Sequence, residues 1–254
     1  MTEPNPPEVD TAPAAVIWDM DGTLTDTEPL WAIATYEMSE RMGRRLTVEK
    51  HAATMGGTFD NTFRVCAEHA DITPDDATRD RYRRILFDRV AELFSKRLTL
   101  NPGVRDILNG LQSRGTPMYV ATNTPRELAD LAITAVGRDY FADTVCGDEV
   151  TRGKPAPDIY REVARRAGVS PGECLVFEDS PTGMTAARDA GCRVIGVPGP
   201  AGDGPKDVPT LGGLTGAPEL TGADFRGIDV ATIDALFRSI TPTPAPRSER
   251  DVQE

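Results

Sequence analysis

At 254 residues, with a formal net charge of −12 and a pI near 4.7, the chain is long enough for one large domain or for a domain carrying an insert. The acidic balance argues against nucleic acid or an anionic membrane as a partner. Any phosphorylated substrate must therefore meet a local cation or a metal.

The first 13 residues are acidic and proline-rich, without the basic and apolar regions of a signal peptide. No apolar run approaches the ~18 residues of a membrane helix. Four scattered cysteines (Cys66, Cys146, Cys174, Cys192) with no C-x-x-C pair fit buried thiols in a reducing compartment. A cytoplasmic monomer is the expectation, with flexible tails at 1–13 and 241–254. Two histidines, His51 and His69, are too few for a multi-histidine zinc site.

In chain order, "AAVIW" predicts a first strand that runs directly into "DMDGT", residues 19–23. Residues 29–97 then read as helix throughout. "LWAIATYEMSERMG" ends at Gly43, "TVEKHAATMGG" at a glycine pair, and "FDNTFRVCAEHA" follows. The long run after Pro74 carries Ile85, Leu86, Val90, Leu93 and Phe94 on one helical face. From residue 98 helices and strands alternate: "VRDILNGLQSRG" helix, "PMYVATN" strand, "PRELADLAITAVG" helix, "DTVCGD" strand. "PDIYREVARRAG" helix, "CLVFED" strand, "TGMTAARDAG" helix and "RVIGV" strand complete the series. Alternation of this kind predicts right-handed crossovers and an α/β fold with a doubly wound, Rossmann-like parallel sheet. The core would comprise 14–28 and 98–240, interrupted by a helical cap at 29–97. Residues 198–227, rich in Gly, Pro and Asp, read as loop.

Ligands of open parallel sheets bind beyond the carboxyl ends of the strands. Those ends carry Asp19 and Asp21, then Thr122 and Asn123, then Glu178 and Asp179, with Lys154 in the loop "TRGKPAP". Singly, each has an ordinary explanation. A D-x-D is as readily a turn, Thr122 a helix cap, Lys154 a solvated charge, and "EDSPTG" a cap with Ser180 as N-cap and Pro181 at N1. Together, in order and on one sheet edge, four acids would repel one another unless a divalent metal joined them. Oxygen ligands without nearby histidine point to magnesium. A metal-held carboxylate beside a lysine and a hydroxyl can attack phosphorus, and a second acid two residues on can shuttle the protons.

On these residues the chain resembles the haloacid dehalogenase superfamily of phosphotransferases. The resemblance covers roughly 14–200, through "DMDGT", Thr122 in "VATN", Lys154 in "RGKPAPDIY", and "FEDSPTG". It implies a magnesium-dependent phosphatase of a small sugar or polyol phosphate. Asp19 would be the nucleophile and Asp21 the acid/base, with Thr122, Asn123 and Lys154 on the phosphoryl group. Asp19, the Asp21 carbonyl, Asp179 and Glu178 would hold Mg2+. Asp21 disfavours halide chemistry, because the dehalogenase branch lacks this second aspartate. The alternative is a β-phosphoglucomutase-type mutase. Members of that kind tend to carry valine, histidine and a G-x-S-R arginine where this chain has Thr23, Trp31 and "GGTFDNT". Trp31 and residues 55–61, Thr58 and Asn61 among them, are expected to face the cleft and choose the substrate. A binding protein without turnover, or a hydrolase built on His51 and His69, explains fewer of these residues.

Overall fold

The computed structural model describes residues 11–55, 57–199, 204–216 and 222–242. Gly56 of the glycine pair, most of both tails and parts of 198–227 lie outside the described residues. Five parallel strands form one sheet: β1 Ala15–Trp18, β2 Met118–Thr122, β3 Asp143–Cys146, β4 Cys174–Glu178 and β5 Arg193–Gly196. Their spatial order is β3-β2-β1-β4-β5, which puts β1 at the centre. Near-continuous apolar strands are expected where both faces of a sheet are covered. Val16 and Trp18 join one buried cluster and Ala15 and Ile17 the other, in keeping with the two-residue alternation of a strand. Trp18 stacks on Phe177 at 4.7 Å, and Phe225 meets both rings edge-on.

Helices α1 Glu28–Arg41, α2 Val48–Ala52, α3 Phe59–His69 and α4 Asp76–Arg97 make up the insert. Around the sheet lie α5 Val104–Arg114, α6 Arg126–Val136, α7 Asp158–Ala167 and α8 Pro181–Ala190. α4 buries Tyr82, Leu86, Phe87, Val90, Leu93 and Phe94. At ~1.5–3 kcal/mol for each fully buried large apolar side chain, this face is what anchors an otherwise charged helix. The two linkers of the insert pair with each other. Asp26 N–H donates to Thr99 O (2.9 Å) and Asn101 N–H to Leu24 O (3.0 Å), so the cap leaves and rejoins the core at one point.

Two local expectations fail. α2 stops at Ala52, short of the glycine pair, because Thr54 turns the chain back by donating both N–H and hydroxyl to His51 O. The 198–227 stretch is not all loop. Thr210 bridges to Gly196 on β5, its side chain caps α9 Leu211–Thr215, and Phe225 is buried against Trp18. A further helix, α10 Val230–Ser239, buries Ile233, Leu236 and Phe237. No described helix is long and apolar enough to cross a membrane.

Candidate active site

Register decides what meets at the sheet edge. Trp18 is level with Val120 on β2 and Phe177 on β4, so Asp19 emerges beside Ala121 and Glu178, with Thr122 one residue further along β2. The loop after β1 turns at Gly22, whose φ of +82° suits glycine. A Cβ there would lie 2.2 Å from Asp179 Oδ2, so the turn and the carboxylate occupy one space. Asn101 Nδ2 pins this turn by donating to the carbonyls of Gly22 and Thr23.

Asp19, Glu178, Asp179 and Lys154 are all buried. Lys154 Nζ donates to Asp19 Oδ1, to Glu178 Oε2 (2.6 Å) and to Ala121 O (3.0 Å), which uses its three protons. Burial alone would lower the lysine pKa, but the charges of Asp19 and Glu178 outweigh it and the pKa is raised. Burial, then repulsion from Glu178, lifts Asp19 well above the ordinary aspartate range despite Lys154. Burial, Asp19 and Glu178 do the same to Asp179. Both partners of the Lys154–Asp19 pair shift upward, Asp19 through burial and repulsion and Lys154 through its two carboxylate partners, and the cluster stays acid-rich.

That excess of negative charge fits a divalent cation. Oxygens of Asp19, Glu178 and Asp179 lie within 4.8 Å of one another. Glu178 differs from the other two. Its Oε2 accepts from Lys154 and Tyr160 (2.5 Å) and its Oε1 from Ser180 N–H and hydroxyl, so all four lone-pair positions are occupied. Ser180 also caps α8, with Pro181 in the first turn, and a Cβ on Gly183 would lie 1.9 Å from Glu178 Oε2.

Asp21 sits in another environment. Its Oδ2 accepts from Thr124 Oγ1 (2.7 Å) and Thr122 Oγ1 (3.3 Å), and its Oδ1 accepts from Trp31 Nε1 (3.0 Å). Asn123 holds the lysine loop: its Oδ1 accepts from Lys154 N–H (2.8 Å) and its Nδ2 donates to Lys154 O (3.2 Å).

Above these residues the cap roofs a cleft of about 360 Å³, within the range of small-molecule sites. The cap contributes Glu28, Trp31, His51, Thr58, Arg79 and Arg83 among others. Asn61 is not among the lining residues. Its Nδ2 donates to Ala53 O and its Oδ1 accepts from Arg64, so it braces the start of α3 instead of facing substrate. Thr58, which does line the cleft, also caps α3 through Asn61 N–H. Trp31 faces the cleft, but its one donor is engaged by Asp21.

Of the cap arginines that the sequence offers as a second-phosphate site (Arg44, Arg45, Arg83 and Arg84) only Arg83 lines the cleft, and Thr124, Tyr160 and Arg79 are not singled out by the sequence. A Thr-x-Thr after a strand was the available signal for Thr124, and the tyrosine ending "KPAPDIY" for Tyr160. Nothing in the α4 sequence distinguishes its two cleft-facing arginines from its solvated ones.

A family model described as haloacid dehalogenase-like hydrolase matches residues 13–191. The phosphorylated carbohydrates phosphatase of Thermotoga maritima is 35% identical over 192 residues, 75% of this chain and 88% of that protein. The fructose-1-phosphate phosphatase YqaB of Escherichia coli is 34% identical over 193 residues, 72% of this chain and 96% of that protein. Among solved structures, CbbY from Rhodobacter sphaeroides in complex with phosphate is 29% identical with a TM-score of 0.65, covering 73% of this chain and 86% of that one.

Proposed function

The chain belongs to the haloacid dehalogenase-like hydrolase family and stands among its phosphatases, and we propose that it hydrolyses the monoester of a small sugar or polyol phosphate through a phosphoryl group carried on Asp19. The observation that carries this reading is the contrast between two carboxylates on one turn. Asp19 is buried against Lys154, whereas Asp21 faces the cleft under three hydrogen-bond donors. Two neighbouring acids in unlike environments suit a nucleophile and a proton carrier.

In the first step an Asp19 oxygen forms a bond to phosphorus. The bond from phosphorus to the ester oxygen breaks, its electron pair leaves with that oxygen, and the alkoxide takes the proton of Asp21. In the second step Asp21 accepts a proton from water as the water oxygen bonds phosphorus. The bond to Asp19 breaks and its pair returns to the carboxylate. Lys154 holds Asp19 in place, and Thr122 stands at the cleft floor. The side chain of Asn123 acts chiefly by fixing the lysine loop.

Mg2+ fits the acid-rich cluster, with Asp19, Asp179 and the Asp21 carbonyl as its holders and Glu178 behind them as a bracket for Lys154. When bound, the ion supplies positive charge to the transferring phosphoryl oxygens.

Asp19→Asn is expected to abolish phosphate release in a folded protein, and substantial residual turnover would sink the mechanism. Asp21→Asn should leave a phosphorylated Asp19 peptide detectable by mass spectrometry. A panel of sugar, polyol and nucleoside monophosphates with magnesium tests the substrate class.

The mutase reading draws on Arg79 and Arg83, which line the cleft. Each is paired with an acid, Asp60 and Glu127 respectively, and neither stands free to hold a second phosphate. Hydrolysis is therefore the better reading. Conversion of β-glucose 1-phosphate to glucose 6-phosphate, primed by the 1,6-bisphosphate and without phosphate release, would reverse it.

A further inference from the structure

The carboxylate of Asp21 is oriented from two domains. Thr122 and Thr124, at the end of β2 in the core, donate to Oδ2. Trp31, in the first turns of the cap helix α1, donates to Oδ1. An indole N–H can only donate, so its geometry requires an acceptor oxygen at that place. The ring is itself fixed from a third direction. Phe94 of α4 meets it edge-on at 6.1 Å and 89°.

We propose that Trp31 is the positioning residue that orients Asp21 for proton delivery to the departing alcohol, with Oδ1 as the oxygen that carries the proton. Oδ2 accepts two hydrogen bonds, which fills its two lone-pair positions. Oδ1 accepts one and keeps one free. With Oδ2 tethered to the core and Oδ1 to the cap, the plane of the carboxyl is set, and the remaining position on Oδ1 is the one open to an ester oxygen. Removing the indole donor leaves Asp21 free to turn about the two threonine contacts. The cap thus contributes to the acid step itself, besides roofing the cleft.

The inference rests on Asp21 being the acid, and the test separates the two. Benzyl phosphate and 4-nitrophenyl phosphate are similar in size, but benzyl alkoxide departs only with a proton, whereas nitrophenolate departs without one. The ratio of their kcat/KM values, which reports events up to departure of the alcohol, isolates the proton delivery. In Trp31→Phe that ratio should fall about tenfold, chiefly through benzyl phosphate, as expected for losing one hydrogen bond to a charged group. The 4-nitrophenyl value should fall much less than the benzyl value, and the melting temperature by no more than a few degrees, because the ring also packs on Phe94. In Asp21→Asn the ratio should fall further, by about a hundredfold.

If Asp21→Asn slows both esters alike, the acid assignment fails and this inference fails with it. If Asp21→Asn is selective and Trp31→Phe slows both alike, only the inference is overturned. Trp31→His guards against a packing effect, because imidazole Nε2 occupies the ring position of indole Nε1. A ratio near wild type supports the hydrogen bond. A ratio as low as that of Trp31→Phe assigns the effect to the lost ring and overturns the proposal.

Discussion

Arg83 on cap helix α4 donates to Glu127 on core helix α6 across 3.1 Å, closing one side of the cleft with an ion pair. The Arg83 guanidinium also lies 4.3 Å over the Phe87 ring, so the residue is oriented by the cap and answered by the core. Both side chains are substantially exposed, at 38% and 57%, which limits the pair to a fraction of a kcal/mol in folding. The pair joins cap to core, so the same small energy bears on the position of the cap.

Glu127→Gln is accordingly expected to leave the melting temperature nearly unchanged and to raise KM for a phosphate ester by about two- to fivefold. It should also flatten the rise of KM with ionic strength, since salt screens exposed charge pairs. Titrating wild type and variant over a salt series checks this. Parallel salt curves would show that the pair does not hold the cap.

Magnesium should stabilise the protein more at neutral than at mildly acidic pH. Burial and mutual repulsion raise the pKa values of Asp19 and Asp179 above the ordinary aspartate range. A carboxyl whose folded pKa is raised favours the folded state while protonated, so its contribution is present in acid and is lost as pH rises through the raised value. The metal-free protein is expected to lose stability between mildly acidic and neutral pH, and a cation binding the ionised cluster to restore it. Thermal melts in chelator and in excess magnesium at both pH values test the sign. Asp179→Asn should raise the metal-free melting temperature by relieving repulsion and should remove most of the magnesium effect. A larger magnesium shift in acid would contradict the assignment.

The cysteines give a prediction independent of the site. Cys66, Cys146 and Cys174 are buried, and burial pushes each thiol up to about 12. Cys192, also buried, is raised well above its ordinary value. The thiolate is the reactive form, so native protein should resist iodoacetamide at neutral pH and take up four equivalents once unfolded. Counting adducts by intact mass with and without denaturant decides it. Fast modification of the native protein would mean that local opening exposes a thiol.

The strand ends were legible in the sequence because a parallel sheet delivers its polar residues at one edge, and short apolar runs ending in Asp19, Thr122 and Glu178 mark that edge directly. Thr124 was not legible as an Asp21 partner, since 103 residues separate them and a threonine there reads equally well as a cap. Arg79 was hidden, and Arg83 was not separable from Arg84, for a related reason. α4 is arginine-rich, and only the packing of Leu86 and Phe87 shows which turn faces the core. Among the described residues of 198–227, Phe225 packs against Trp18, a contact that Gly- and Pro-rich composition conceals.

The last prediction concerns how the cleft reads the far end of its substrate. Arg79 Nε donates to Asp60 Oδ1 at 2.7 Å, and its guanidinium lies 5.7 Å over the Phe59 ring, so charge and position are both fixed at the cleft wall. An arginine paired in this way offers a polar surface suited to hydroxyls, and little net charge for a second phosphate. Asp60→Asn keeps the shape and uncovers the cation. It should raise kcat/KM for a sugar bisphosphate relative to the corresponding monophosphate by up to about fivefold, the scale of an exposed charge interaction. The monophosphate alone should change less than about twofold, because the side chain of Asp60 is bonded to Arg79 and to none of the phosphoryl-transfer groups. The check is competition kinetics with fructose 1-phosphate and fructose 1,6-bisphosphate on wild type and variant. An unchanged ratio would mean that the far end of the substrate does not reach Arg79, and that Thr58 and His51, which also line the cleft, make the selection. A raised ratio would establish the Arg79–Asp60 pair as the element that keeps this cleft selective for substrates with an uncharged far end.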